Sequence, residues 1–272
     1  PYNTAKDVNI YIVIPCLREQ DIILDTIKNF KENMLKNDNV KLVIVTTRKE
    51  NSEKNNGKYL IDFLTNDIFA GKKIDELFSK YSVLFSRDEL RDIVQHVRDL
   101  SYESLKNLVV SKYNNSKTTY EIIEHELKYN HELDDILLID YPCTDGMMSN
   151  QLNYALSIIS NEISQEDMDK TYFCVYNADS HINSKTYDEL LNKIKQYNYP
   201  LIIQQYSALT SNIDKLSFIM KGFAIYQTNF EVTNGFLNAL FPSKFVRNHV
   251  VGHGLFLRCD FLTKINGFNT EF

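Results

Sequence analysis

Apolar residues in this chain follow two kinds of spacing, and the two occur in blocks. Residues 9–14 (N-I-Y-I-V-I) form a β-branched run halted by Pro15. Unbroken apolar character, rather than alternation, marks a strand covered on both faces, as in a parallel sheet. Ile22, Ile23, Ile27 and Phe30 then recur at helical spacing, which predicts a helix over 21–36. Residues 41–46 (K-L-V-I-V-T) predict a second strand. Strand, helix, strand at this spacing is a βαβ unit, whose right-handed crossover lays both strands parallel in one sheet.

From 51 to 133 the pattern changes to helical spacing in a highly charged background. Leu60, Phe63 and Leu64, then Ile74, Leu77 and Phe78, then Leu90, Ile93, Val94 and Val97 mark four or five helices. The segment reads as a helical insertion, with a solvated packing layer favoured over an acceptor-binding or membrane-docking role. The strand pattern resumes at 136–139 (I-L-L-I), followed by a turn over 142–146 and a helix over 149–160. Further strands are expected at 171–176 (T-Y-F-C-V-Y) and 200–205 (P-L-I-I-Q-Q). A Phe- and Tyr-rich, largely helical stretch runs to about Phe241, and G-H-G-L-F-L-R, a short helix and N-G-F-N-T-E-F close the chain. The expected fold is one α/β domain over 1–272, a mostly parallel, Rossmann-like sheet flanked by helices, with the insertion after its second strand.

Composition narrows the function classes. Hydrophobic residues make up 43% and charged residues 24%, as in ordinary globular proteins. The net charge of −6 leaves no excess of Lys and Arg to neutralise phosphates, so nucleic acid is not an expected partner. Cys16, Cys143, Cys174 and Cys259 form no C-x-x-C and read as buried free thiols. No apolar run is long enough to span a bilayer and no secretory leader opens the chain, so a cytoplasmic location is expected.

Ligands of open α/β sheets bind beyond the carboxyl ends of the parallel strands. Three loops therefore become candidates: 15–19, 46–50 and 177–181. The last holds Asp179 and His181, two apart after an apolar strand. In extended backbone, such positions face the same way and would share a divalent ion, Mn²⁺ or Mg²⁺. That ion would neutralise the diphosphate of a departing nucleotide. The competing explanation is that Asp179 only caps a turn and His181 is exposed. His96, His125 and His131 lie in the insertion, where surface or packing roles are expected. His249 and His253 stand four apart, in a segment that reads as strand or loop. Tyr206, Phe223, Tyr226 and Phe230 suit sugar stacking, although core packing is the expectation for most of them.

Four blocks, in order, resemble glycosyltransferase family 2, of the GT-A fold. V-Y-N-A-D-S (175–180) is similar to its metal-binding D-x-D segment. I-V-I-P-C-L-R-E (12–19) resembles the opening strand, and G-M-M-S-N-Q-L-N-Y-A-L (146–156) the helix after the third strand. G-H-G-L-F-L-R-C-D-F-L-T-K-I-N-G-F (252–268) resembles its later Gly-x-Gly and Gly-Gly-Phe block. The resemblance implies a metal-dependent, inverting transfer of a sugar from a nucleotide-diphosphate sugar to a saccharide or glycolipid. It places Pro15, Arg18, Glu19, Thr46, Asn153, Asn177 and Asp179 on the donor side. His253, Gly254, Arg258, Gly267 and Phe268 fall on the acceptor side, with Arg258 also aiding the departing diphosphate. Asp179, joined by His181 in a D-x-H register, is the implied metal ligand.

The departures matter. Asn177 and Asn266 replace family residues, and Thr46-Thr47-Arg48 stands where acidic residues usually contact the base. The family's catalytic base follows Gly-Gly-Phe at a greater distance than Glu271, so it is expected beyond Phe272. Polysaccharide or glycolipid assembly, with peripheral association at the inner face of a membrane, is suggested by the family. One rival is a catalytically degenerate relative serving as a carbohydrate-binding or scaffolding module. A nucleotidyltransferase is disfavoured because P-C-L-R-E-Q lacks a glycine-rich phosphate loop.

Overall fold

A computed structural model describes residues 8–97, 100–130, 133, 135–206, 208, 213–240 and 252–271. Four strands run parallel: β1 (Asn9–Pro15), β2 (Val40–Thr47), β3 (Ile136–Tyr141) and β4 (Thr171–Val175). Two more, β5 (Ile202–Gln204) and β6 (Leu255–Arg258), extend the sheet so that its order is β3-β2-β1-β4-β6-β5. β6 is antiparallel to both of its neighbours, β4 and β5.

The central strand explains its own composition. Ile10, Ile12 and Ile14 enter the core beneath α1 (Ile23–Asn33) and α9 (Thr186–Gln196). Tyr11 and Val13 point the other way, under α8 (Met148–Glu162) and α11 (Cys259–Lys264). A strand roofed on both faces has no polar side, so alternation vanishes from its sequence. α1 is shorter at both ends than the expected 21–36, and α9 was not anticipated.

The insertion comprises α2 (Arg48–Asn56), α3 (Leu60–Phe69), α4 (Ile74–Tyr81), α5 (Arg87–Gln95), α6 (Tyr102–Asn115) and α7 (Thr119–Tyr129). It is more than a solvated layer, because it has its own core, in which Leu64, Tyr81, Leu90, Ile93, Leu105 and Val109 are fully buried. Ser86 with Glu89 and Thr118 with Glu121 form reciprocal caps that start α5 and α7. Among the described residues no helix is long and apolar enough to cross a membrane. The longest, α10 (Phe218–Leu240), buries Ala224 but exposes Phe223, Tyr226 and Phe230, as Tyr206 is exposed before it. Core packing is therefore not what these aromatics do. Cys16, Cys174 and Cys259 are buried as expected, whereas Cys143 is exposed. His131 and His249 lie outside the described residues.

Candidate functional site

β1 ends at Pro15, and the Cys16 N–H still bonds Val45 O at 2.8 Å. The chain then turns away through Arg18, whose φ of 62° is left-handed. A non-glycine residue holds that conformation only where its surroundings impose it. Here the Arg18 N–H donates to a buried carboxylate, that of Glu50, at 3.1 Å. Glu50 stands in the first turn of α2, which follows β2 without a loop.

Beyond the ends of β1, β2 and β3 lies a cavity of about 260 Å³. Pro15 and Gln151 lie at its base, with Thr47 and Tyr141 on the β2–β3 side and Met147 and Met148 at the start of α8. Glu19 and Lys49 also line it. The Gln151 amide donates to Cys16 O at 3.0 Å and Val45 O at 3.1 Å, tying α8 to two strand ends at once. Gly146, at φ +115°, opens α8 where a Cβ would come 3.2 Å from the Asn150 side chain.

The segment after β4 is a turn. Ser180 N–H bonds Asn177 O and Asn177 N–H bonds Ser180 Oγ, both at 3.1 Å. α1 secures it from below: Thr26 Oγ1 donates to Ala178 O, and Asn29 makes two bonds with the Ile182 backbone at 2.8 and 3.2 Å. Because 178–179 is turned rather than extended, the two-residue spacing no longer argues that Asp179 and His181 face one ion. Both side chains are exposed.

Asp179 nevertheless has a charged neighbour. Glu19 is pushed above the usual glutamate range by burial first, then by the charges of Asp179 and Glu50, with Arg18 pulling the other way. Glu19, after β1, and Asp179, after the neighbouring β4, thus feel each other's charge at the same end of the sheet. Among the described residues no three His, Cys, Asp or Glu side chains gather to hold an ion. Glu19 and Asp179 both offer carboxylate oxygen, the donor type that a hard divalent cation prefers.

Several expected site residues do other work. The Thr46 hydroxyl is buried and donates to Ile139 O at 3.3 Å and Asp140 Oδ1 at 3.1 Å, so Thr47, on the opposite face of the strand, lines the cavity instead. The Asn153 amide is taken up by the backbone of Phe268. Its Nδ2 donates to Phe268 O at 2.8 Å and its Oδ1 accepts the Phe268 N–H at 2.7 Å. Gly267, at φ +79°, is needed beside it, since a Cβ would stand 2.3 Å from Asn153 Oδ1. Phe268 itself packs against Phe173, with ring centroids 5.8 Å apart.

Arg258 lies at the wrong end of the sheet. β6 runs against β4, pairing Leu255 with Val175 near the site but Arg258 with Tyr172 at the far end. There its guanidinium grips Asp260 through two bonds of 2.7 and 2.8 Å and donates to Tyr199 O. The same reversal brings Gly254 and His253 to the site end. Gln205 N–H bonds Gly254 O at 2.7 Å, and a side chain at Gly252 would stand 3.6 Å from Met148 Cε. His253 Nε2 is buried without a hydrogen-bond partner among the described residues.

Of the residues expected in the site, Pro15 and Glu19 line the cavity, Arg18 precedes Glu19 in the chain, and Asn177 and Asp179 lie in the turn after the neighbouring strand. Thr47 and Lys49 from the expected loop 46–50, and Met147, Met148 and Gln151 from the motif at 146–156, line the cavity with Pro15 and Glu19, and Tyr141 joins unforeseen. Gln151 sits inside the motif at 146–156, one turn from its start, and the periodic position gave its only signal. No protein-family model matches the chain, and comparison with curated proteins finds none that it matches.

Proposed function

We propose that this chain is a glycosyltransferase of the GT-A type that its motifs resemble. It moves a sugar from a nucleotide-diphosphate sugar, with UDP as the first nucleotide to test, to a saccharide or glycolipid acceptor. The observation that carries the reading is the cavity beyond the ends of β1, β2 and β3, lined by Pro15 and Glu19 after β1, Thr47 and Lys49 at the end of β2, and Tyr141 of β3. Ligands bind at that end of such sheets.

In this reading Thr47, Tyr141 and the two methionines enclose the base, with a hydroxyl for orientation and soft apolar walls that exclude water. Arg18 and Lys49 lie 3.6 and 4.0 Å from Glu53, so phosphates arriving beside the cavity would compete with that carboxylate for them. Asp179, backed by Glu19, would hold the divalent ion. When bound, that ion supplies positive charge against the leaving diphosphate. The His253–Gly254 segment borders the opposite side, where an acceptor would approach. Single displacement, with attack by the acceptor oxygen on the anomeric carbon, is the reaction class the resemblance implies.

Thermal unfolding with UDP or GDP, each with and without Mn²⁺, tests the reading on the wild type and Asp179→Ala. A ligand at about 100 times its dissociation constant adds roughly 2.7 kcal/mol. The expected result is a Mn²⁺-dependent rise in melting temperature with one nucleotide, lost in Asp179→Ala. If neither nucleotide stabilises the wild type with any metal, the donor site is wrong, and a carbohydrate-binding module becomes the better description.

A further inference from the structure

Two positions far apart in sequence meet at one carboxylate. Glu50 stands in the first turn of α2, the first helix of the insertion, and Thr119 is the first residue of α7, its last helix. Glu50 is only 4% exposed, yet both of its oxygens are engaged. Oε2 accepts the Arg18 N–H at 3.1 Å. Oε1 accepts Gln20 Nε2 at 2.8 Å, the Thr119 N–H at 2.8 Å and the Thr119 hydroxyl at 3.2 Å. Thr119 Oγ1 in turn accepts the Glu19 N–H at 2.9 Å.

Three consecutive residues after β1 are thus held by residues of the first and last helices of the insertion. The Arg18 guanidinium, 3.6 Å from Glu53, adds a further tie to α2, and the Arg87 N–H reaches Asp21 Oδ2 at 2.9 Å from the start of α5. What they hold would not stay in place unaided. Arg18 is left-handed, and Glu19 is half-buried against two other carboxylates. A buried carboxylate needs all its hydrogen bonds, so the joint closes as a unit or fails as one.

We infer that Glu50 and Thr119 are positioning residues, and that the helical insertion controls the candidate site by setting the backbone of residues 18–20, which carries Glu19 to the cavity. The effect on affinity rests on the reading of the cavity as a nucleotide site, whereas the control of the loop does not. A partner that separated α2 from α7 would weaken binding at the cavity without touching it.

Thr119→Val keeps the shape of the side chain and removes the hydroxyl, Thr119→Ser keeps the hydroxyl, and Glu50→Gln removes one acceptor oxygen. Leu64→Ala, in the core of the insertion, serves as a stability control. Amide hydrogen exchange of residues 17–20 and calorimetric affinity for UDP and GDP with Mn²⁺ are the two readouts. Thr119→Val and Glu50→Gln are expected to speed exchange at Arg18 and Glu19 and to weaken nucleotide affinity about tenfold, the worth of one net hydrogen bond. Thr119→Ser should restore both, while Leu64→Ala lowers the melting temperature and moves neither. Unchanged exchange in Thr119→Val overturns the inference, and that variant carries the test if Glu50→Gln does not fold. Faster exchange with an unaltered affinity also overturns it, since the joint would then be structural only. If wild type binds neither nucleotide, the donor reading fails and exchange alone decides the control of the loop.

Discussion

Burial, reinforced by the charges of Asp179 and Glu50, raises the Glu19 carboxyl against a smaller pull from Arg18. Its folded value lies above its unfolded one, so the stability it contributes is complete below the unfolded pKa of about 4.3 and is lost as pH rises through the folded value. Above its folded value the ionised group works against the fold. Glu19→Gln should therefore be more stable than the wild type at pH 7, with the difference vanishing once the pH falls below that of an ordinary glutamate. Urea unfolding at the two pH values measures this. A Gln variant that is less stable at pH 7 would mean that the carboxylate is stabilised where it stands. Only part of this was legible in the sequence. Glu19 and Asp179 follow apolar strands, which placed both at one end of the sheet. Glu50 and Thr119, 69 positions apart, show no pattern that links them, because their meeting depends on how the insertion folds back.

At the scale of elements, the insertion has its own acid response. The Tyr81 hydroxyl first, then Lys80 and Lys72, hold the Asp67 carboxyl down at about 2. The bonds to Tyr81 at 2.6 Å and Lys80 at 3.0 Å join α3 to α4. This contribution is present above the unfolded pKa of about 3.9 and is lost as pH falls through the folded value. Asp67→Asn should cost stability at pH 7, and its deficit against wild type should shrink steadily between pH 5 and pH 2 in denaturant titrations. A deficit independent of pH would point to lost packing instead. β1 to β4 were legible as elements because buried parallel strands are nearly unbroken apolar runs. α9 was missed although Tyr187, Leu190, Leu191 and Ile194 keep helical spacing, since short polar stretches surround it. The exposed aromatics of α10 misled for a physical reason: composition reports how apolar a helix is and not whether anything covers it.

At the scale of the whole molecule, the reversed direction of β6 decides which residues share the site. A strand's composition does not encode its direction, so Arg258 looked as well placed as Gly254, four positions away in the same motif. The sheet separates them, and Arg258 with Asp260 becomes a fastening at the far end. Arg258→Ala should lower stability by about 1.5 kcal/mol, the scale of charge-assisted bonds, and leave nucleotide affinity unchanged. Loss of nucleotide affinity in that variant at full folding would contradict the placement.

The position of β1 in the sheet bears on how the protein is made. β1 is synthesised before the strands that flank it, yet it lies at the centre, and the partner of its Asn9 on one side is Thr171 of β4. β2 can cover one edge early, while the other edge waits for the insertion, β3 and α8 to be translated. At about 5–20 residues per second that interval lasts on the order of ten seconds or more. Throughout it the nascent chain presents an open apolar strand edge, which is what ribosome-associated chaperones bind and what aggregation exploits. Yield in the cell should then depend on translation speed and chaperone supply more than on the final stability of the fold.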